Sequence, residues 1–250
     1  LVAHSNQALN DLFQKIIERD IPARYLLRLG MGEEELGSDL DFSRVGRTNA
    51  MLQRRLQLLA EVEKLAVLMK APTDLAYSCE TAAHFWLLHV LAPMEKFRYA
   101  ASLQQRKAKD AAAAATDANA VYDDAGAWVR SSFPFVEYFA DVPAPLFPGT
   151  SWEDDMRVAE QCFYHLQSIF VELEEARPFE LLKTQGERVS YLTTKQAKIV
   201  AMTCTHAALK RHDFLRMGLQ YDTLIMEESA QVLEIETFVP MLLQKSAVGA

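Results

Sequence analysis

Short apolar runs that end in polar residues lie near both ends of this chain. We interpret these runs as strands over residues 1–3, 25–29, 197–202 and 224–226. Helical periodicity follows the first run, because apolar residues between Ala8 and Ile17 fall on one face and Ser5 or Asn6 can cap the helix. Strands that alternate with helices form a parallel sheet, whose ligands gather at the carboxyl ends of the strands. The ends of the chain therefore predict an α/β fold.

The middle of the chain has the period of long amphipathic helices. Apolar residues recur every three or four positions over residues 52–69 and again over residues 156–173. Ser151, with Asp154 three residues later, predicts the start of the second of these helices, and Pro178 predicts its end. A third helix is expected around residues 79–100, and the three helices are expected to pack together.

These two patterns predict how the chain is divided into domains. Residues 1–30 and 191–250 are expected to form the domain that carries the sheet, and residues 31–190 a long, mainly helical arm inserted into it. Within the arm, residues 106–126 contain five consecutive alanines among polar residues. We expect a disordered surface loop there.

Composition narrows the class of protein. The formal net charge is −8 at pH 7, so global electrostatics do not favour nucleic acid. The three Cys residues lie far apart and form no CxxC pair, which argues against a disulfide framework or a zinc site and fits a reducing compartment. Apolar runs stay well short of the roughly 20 residues of a membrane helix. We expect a soluble, intracellular protein without a membrane partner.

The strongest chemical signal is an acidic run directly after an apolar strand, Glu227-Glu228-Ser229-Ala230-Gln231. Two acids at the tip of a strand suit an NTPase, in which one carboxylate holds Mg²⁺ and the next polarises the attacking water. A strand that ends in two acids is also common in proteins without this chemistry. The Ser-Ala-Gln that follows makes the pattern more specific.

A second polar junction, Thr203-Cys204-Thr205-His206, follows the strand at residues 197–202. Hydroxyl residues at such a junction, with a helix N-terminus behind them, can donate hydrogen bonds to phosphates. The local charge agrees, because residues 195–216 hold five Lys or Arg against one Asp. A solvated basic face is the alternative interpretation. A metal role for His206 is weak, since no partner residue has a suitable spacing.

The three junctions, in this order, resemble a known family. Ser5-Asn6 with Ala8 is similar to motif Ia of superfamily 1 RNA helicases of the nonsense-mediated-decay helicase type. The Thr203 to Ala207 run is similar to the next nucleic-acid-contacting motif, and the Glu227 to Gln231 run to motif II, the DEAAQ-type Walker B box. The sequence around these motifs also closely resembles that of the intron-binding, spliceosomal members of the family, over nearly the whole chain. The segments that resemble them are residues 27–30, 32–36, 41–44, 201–213 and 233–238.

This resemblance implies most of a first RecA-like domain, with a partial parallel sheet of the P-loop NTPase fold and the arm inserted. It implies that Glu227 serves Mg²⁺, that Glu228 activates water and that Gln231 couples the nucleotide to the rest of the motor. It further implies an RNA-backbone contact surface made of Ser5, Asn6, Thr203, Thr205 and His206.

The function implied by the resemblance is an ATP-dependent RNA helicase of the spliceosome that remodels RNA or ribonucleoprotein. ATP and Mg²⁺ would be its cofactors, single-stranded intron RNA and spliceosomal proteins its partners, and the nucleus its location. Two other interpretations stay open. One is a scaffold that binds intron RNA and spliceosomal proteins and carries a vestigial ATPase, and the other is an unrelated P-loop ATPase with a helical insertion.

Two features depart from the family pattern. Motif II opens with Glu227, where the family usually has Asp. The sequence also contains no G-x-x-x-x-G-K-[ST], so the phosphate loop is expected upstream of Leu1 and the later motifs beyond Ala250. The chain by itself is therefore not expected to bind ATP tightly or to hydrolyse it.

Overall fold

A computed structural model of the chain describes residues 1–32, 36, 38–114, 127–142, 145–149 and 151–244. The chain divides into two compact units. The first, which we call the sheet unit, consists of Leu1–Arg54 and Pro178–Ala250. The second, the helical unit, is Arg55–Arg177.

The sheet unit is built on short parallel strands. Within the described residues they are β1 (Val2–Ala3), β2 (Leu26–Arg28), β3 (Ile199–Thr203) and β4 (Met226–Glu227). Their order in the sheet is β2-β3-β1-β4, and every pair of neighbours is parallel. The α/β class and the parallel sheet that the sequence predicts are confirmed.

Helices connect the strands and make up the helical unit. In chain order they are α1 (Asn6–Ile17), α2 (Arg44–Leu68), α3 (Cys79–Phe85), α4 (Leu91–Ala114), α5 (residues 127–132), α6 (Trp152–Leu181), α7 (Gln185–Tyr191), α8 (Cys204–Met217) and α9 (Glu234–Met241). A π-helical segment, Trp86–Val90, joins α3 to α4, and another, Leu192–Gln196, follows α7. Within the described residues, no helix is both long and apolar enough to cross a bilayer.

One face of the sheet is covered by α1. Leu9 and Phe13 of this helix pack on strand residues Leu26 and Ala201, all of them buried. Phe42 joins this core, since its ring lies 5.3 Å from that of Phe13 in an edge-to-face arrangement. These contacts close a hydrophobic core on the α1 side of the sheet.

The limits of the two units differ from the predicted domain limits at residues 30 and 191. The segment after β2 belongs to the sheet unit because the Phe42 carbonyl accepts a hydrogen bond of 3.0 Å from the backbone N–H of Arg28. Residues 178–190 belong to it as well, since the Phe179 ring packs edge-on against Tyr191 at 5.5 Å. The assignment of the sheet unit to a motor domain, and of the helical unit to an inserted arm, stays a prediction.

The helical unit has one large apolar core, to which α2, α3, α4, α5 and α6 all contribute. The stripe predicted on α6 lies in or against this core, including Ala159, Phe163, Leu166 and Leu173. The stripe predicted on α2 is only partly correct, because Leu56 is 61% exposed. The residues of α2 that are buried in this core are Leu58, Leu59, Val62, Leu65 and Ala66.

Two predicted limits within the helices are wrong. The helix α6 runs through Pro178 and ends at Leu181, and Phe179 in this last turn is fully buried, with its ring against that of Tyr191. The disordered loop predicted for residues 106–126 begins too early, since residues 106–114 belong to α4. Alanine has the highest helix propensity of all residues, so the helix continues into the alanine run at little cost. Residues 115–126 lie outside the described residues.

Candidate functional site

The sheet brings the three polar junctions to one edge. Ala3 of β1 pairs with Thr203 of β3 on one side and with Glu227 of β4 on the other. Because neighbouring strands lie roughly 4.8 Å apart, the backbones at Thr203 and Glu227 are separated by roughly 10 Å. Ser5 and Asn6 follow β1 between them. The predicted RNA-contacting and acidic residues therefore share the carboxyl edge of the sheet.

Two of the predicted RNA-contacting residues, Ser5 and Thr203, are the N-caps of helices. The Ser5 Oγ accepts a hydrogen bond of 3.1 Å from the backbone N–H of Ala8, at the start of α1. The Thr203 Oγ1 accepts one of the same length from the backbone N–H of His206, at the start of α8. Each oxygen serves as an N-cap acceptor, and its own O–H can still donate to a phosphate.

Asn6 is held by Arg28, a residue that belongs to none of the three polar junctions. Its Oδ1 accepts a hydrogen bond of 2.9 Å from Nη2 of Arg28, the last residue of β2. The Arg28 side chain is fully buried. The sequence does contain one sign of this role, which is an arginine inside an apolar strand, because a buried charge is costly unless it is hydrogen-bonded.

His206 lies in the first turn of α8 and is half-buried, whereas its neighbour Thr205 is exposed. Burial lowers the pKa of His206 below its ordinary value, and the nearby positive charges of Arg44, Arg28 and Lys210 lower the pKa further. Its Nε2 is buried and has no hydrogen-bond partner among the described residues. At neutral pH the lowered pKa favours the uncharged imidazole of His206.

The acidic run after β4 is exposed and contains an unusual backbone conformation. Glu227 ends the strand, and Glu228 follows with φ of 53° and ψ of 35°, in the left-handed region. For a residue other than glycine this conformation costs about 1 kcal/mol or more, and such residues cluster at functional sites. The backbone N–H of Gln231 donates to the Glu228 carbonyl at 2.9 Å, which closes the turn. The chain thus leaves the strand direction directly after Glu227.

Comparison with known proteins identifies the family. The sequence profile of the AAA domain family matches residues 1–248. The chain belongs to the AAA domain family. Membership agrees with the P-loop NTPase fold and the helicase resemblance that the motifs predict, and it implies the use of ATP, usually with Mg²⁺.

Two relatives specify the resemblance. The chain is 51% identical over 249 residues to RNA helicase aquarius of Mus musculus, a match that covers 100% of this chain. It is 24% identical over 235 residues, or 94% of this chain, to pre-mRNA-splicing factor cwf11 of Schizosaccharomyces pombe. The chain spans 16% of the length of each of these relatives.

The acidic run suits the magnesium nucleotide that the AAA family implies. Within the described residues, no group of three or more His, Cys, Asp and Glu could hold a metal by itself. Glu227 and Glu228 nevertheless offer carboxylate oxygens, and Mg²⁺ is commonly held by one or two carboxylates together with substrate phosphates. The residues present therefore fit a metal that arrives with a nucleotide, with the remaining ligands supplied by phosphate and water.

Proposed function

We propose that the chain is part of the first RecA-like motor domain of an ATP-dependent RNA helicase that acts in pre-mRNA splicing in the nucleus. The observation that carries this proposal is the 51% identity, over the whole chain, to a protein named RNA helicase aquarius. The carboxyl edge of the sheet supports it, because polar junctions of two chemical kinds lie side by side there.

The RNA-facing part of this edge follows β1 and β3. We assign it the residues with hydroxyl, amide and imidazole groups, namely Ser5, Asn6, Thr203, Thr205 and His206. Such groups, beside the backbone N–H groups of two helix N-termini, are suited to phosphate oxygens and carry no base preference. The proposed partner is single-stranded intron RNA, bound through its backbone.

The nucleotide-facing part follows β4. We assign Glu227 to Mg²⁺, Glu228 to polarising the attacking water, and Gln231 to coupling the state of the nucleotide to the rest of the motor. When bound, the metal would neutralise negative charge on the phosphates during their transfer. Because β1, which leads into the RNA-facing part, is paired directly with β4, a small shift at one part can be transmitted to the other.

The helical unit is proposed to be an inserted arm that meets spliceosomal proteins. A second function is favoured by one observation, which is that Glu227 stands where the family usually has Asp. The side chain of Glu is one methylene longer, which moves the proposed metal ligand. In this second proposal the protein is a scaffold that binds intron RNA and spliceosomal proteins, and its ATPase is vestigial.

Duplex unwinding by the full-length protein separates these functions. The substrate is an RNA duplex with a single-stranded overhang, incubated with Mg²⁺ and either ATP or a non-hydrolysable analogue. A helicase separates the strands only with ATP. A scaffold binds the overhang but leaves the duplex intact with either nucleotide, and an unrelated ATPase shows no preference for RNA.

A further inference from the structure

A buried arginine lies beneath the proposed RNA-contacting edge. Arg28 ends β2, and its side chain is 0% exposed. It lies on the same face of the sheet as Leu26, two residues earlier, and this face packs against α1. A guanidinium stays charged in proteins, so its burial is tolerated only when its donors are matched by acceptors.

The acceptors belong to α1 and to the segment after β2. Arg28 Nε donates to Asn10 Oδ1 at 2.9 Å, and Nη2 donates to Asn6 Oδ1, also at 2.9 Å. Nη1 donates to the carbonyl of Leu29. Asn10 Nδ2 in turn donates to the Gly32 carbonyl at 2.7 Å. One planar side chain therefore joins two asparagines, one helical turn apart, to the loop after β2.

Gly30 and Gly32 let this loop approach the RNA-contacting segments closely. A Cβ at Gly32 would lie 2.6 Å from Asn6 Cγ and 2.7 Å from Arg28 Nη2. Gly30 has a φ of 104°, and a Cβ there would lie 3.1 Å from His206 Nδ1. The end of β2 thus packs against residues that follow both β1 and β3, although it contributes no predicted RNA contact of its own.

We propose that Arg28 is a positioning residue for RNA binding, which holds the Asn6 amide so that its Nδ2 donates to the RNA backbone. The amide has one acceptor and one donor group, and Arg28 engages the acceptor. The group left for a phosphate is then the donor, which is the group that a phosphate oxygen requires. This inference rests on the proposed RNA-binding function and adds to it a residue that does not itself touch RNA.

Arg28→Lys is the direct test, because it keeps the positive charge but loses the planar guanidinium with its several N–H donors. A single ammonium cannot reproduce donation from Nε and Nη2 to two separate side chains. In the full-length protein we expect the Kd for single-stranded RNA, and the KM for RNA in stimulated ATP hydrolysis, to rise about tenfold. The rate at saturating RNA should fall by less than the KM rises, whereas a purely structural defect would lower the rate and leave the KM unchanged.

Arg47→Lys is the matched control. Arg47 is also a buried arginine of the sheet unit, only 6% exposed, but its guanidinium lies over the Phe42 ring and its Nε donates to the Asp41 carbonyl, on a different segment from Asn6. Its substitution should leave the Kd and the KM for RNA unchanged. A second variant, Asn6→Asp, keeps an acceptor for Arg28 and removes the proposed donor, so it should weaken RNA binding while the melting temperature is retained.

The outcomes separate this inference from the function on which it rests. If the wild-type protein binds no RNA, the proposed function and the role of Arg28 both fail. If the wild-type protein binds RNA and Arg28→Lys or Asn6→Asp binds it equally well, the positioning role alone is overturned. A rise in the KM for RNA with Arg28→Lys, absent with Arg47→Lys, supports it.

Discussion

At the scale of single residues, Thr203 stabilises the start of α8 in addition to its proposed contact with RNA. Its Oγ1 caps α8, and loss of such a cap costs about 1 kcal/mol. We expect Thr203→Ala to accelerate amide hydrogen exchange in the first turn of α8 about fivefold in the full-length protein. Mass spectrometry of peptides from α8 measures this exchange.

Thr205→Ala is the control for that experiment. Thr205 lies two residues further on and is exposed, so its hydroxyl can be removed with little effect on the helix. We expect unchanged exchange in α8 together with weaker RNA binding. Equal exchange rates in the two variants would contradict the capping role of Thr203.

The titration of His206 gives a dependence of stability on pH. Its pKa is lowered in the folded protein, mainly by burial. The unfolded chain then binds the proton more readily, so His206 costs stability as the pH falls below its ordinary pKa of about 6.5. We expect the melting temperature of the wild-type protein to drop further between about pH 7.5 and about pH 5.5 than that of His206→Gln. Parallel drops, measured by differential scanning fluorimetry, would contradict this.

Arg28 shows what a sequence alone does not reveal at this scale. The polar residues at strand ends could be predicted, because a parallel sheet collects the carboxyl ends of its strands at one edge. The partner of Asn6 could not, since Arg28 lies 22 positions away in the sequence and approaches Asn6 only through the crossover of α1. The need for Gly32 follows from the same approach.

At the scale of helices and strands, the spacing of apolar residues along the sequence predicts which elements exist but not where they end. The strands and the apolar face of α6 can be predicted, because burial imposes a regular spacing of apolar residues on them. The limits at Pro178 and in the alanine run depend on competing effects. Burial of Phe179 keeps the last turn of α6 helical despite the proline, and the propensity of alanine extends α4.

Phe163 of α6 is the residue whose loss should affect the helical unit most clearly. It is fully buried, and its ring lies 5.5 Å from that of Phe97 and 5.3 Å from that of Phe133. Phe163→Ala should destabilise the helical unit by about 3–5 kcal/mol. Hydrogen exchange of its core helices in the full-length protein measures this loss.

The neighbouring residue provides the control. Tyr164 is 75% exposed, so Tyr164→Ala should change the stability of the same helices by less than about 0.5 kcal/mol. Similar effects of the two substitutions would mean that α6 does not bury the face described here.

At the scale of the whole molecule, the chain spans 16% of the length of each of the two relatives. Among the described residues, one hydrophobic core lies against the sheet and another lies among α2 to α6. The fold class could be predicted, because strands alternate with helices along the chain, and so could the gathering of the polar strand ends at one edge of the sheet. The limits of the units could not, because Phe42 and Phe179 belong to the sheet unit through tertiary contacts.

The proposed motor function requires that the carboxylates at the end of β4 carry out ATP chemistry that responds to RNA. The most direct test compares RNA-stimulated ATPase activity of the full-length protein with that of Glu228→Gln, which keeps the size of the side chain and removes its charge. Glu18→Gln, an exposed glutamate just after α1, is the control.

We expect RNA to stimulate hydrolysis in the wild-type protein and in Glu18→Gln, and we expect Glu228→Gln to lower the rate about 100-fold or more, as loss of a general base does. Equal activity of Glu228→Gln and the wild-type protein would contradict the role of Glu228. Silence of all three proteins while RNA still binds would contradict the motor function and favour the scaffold.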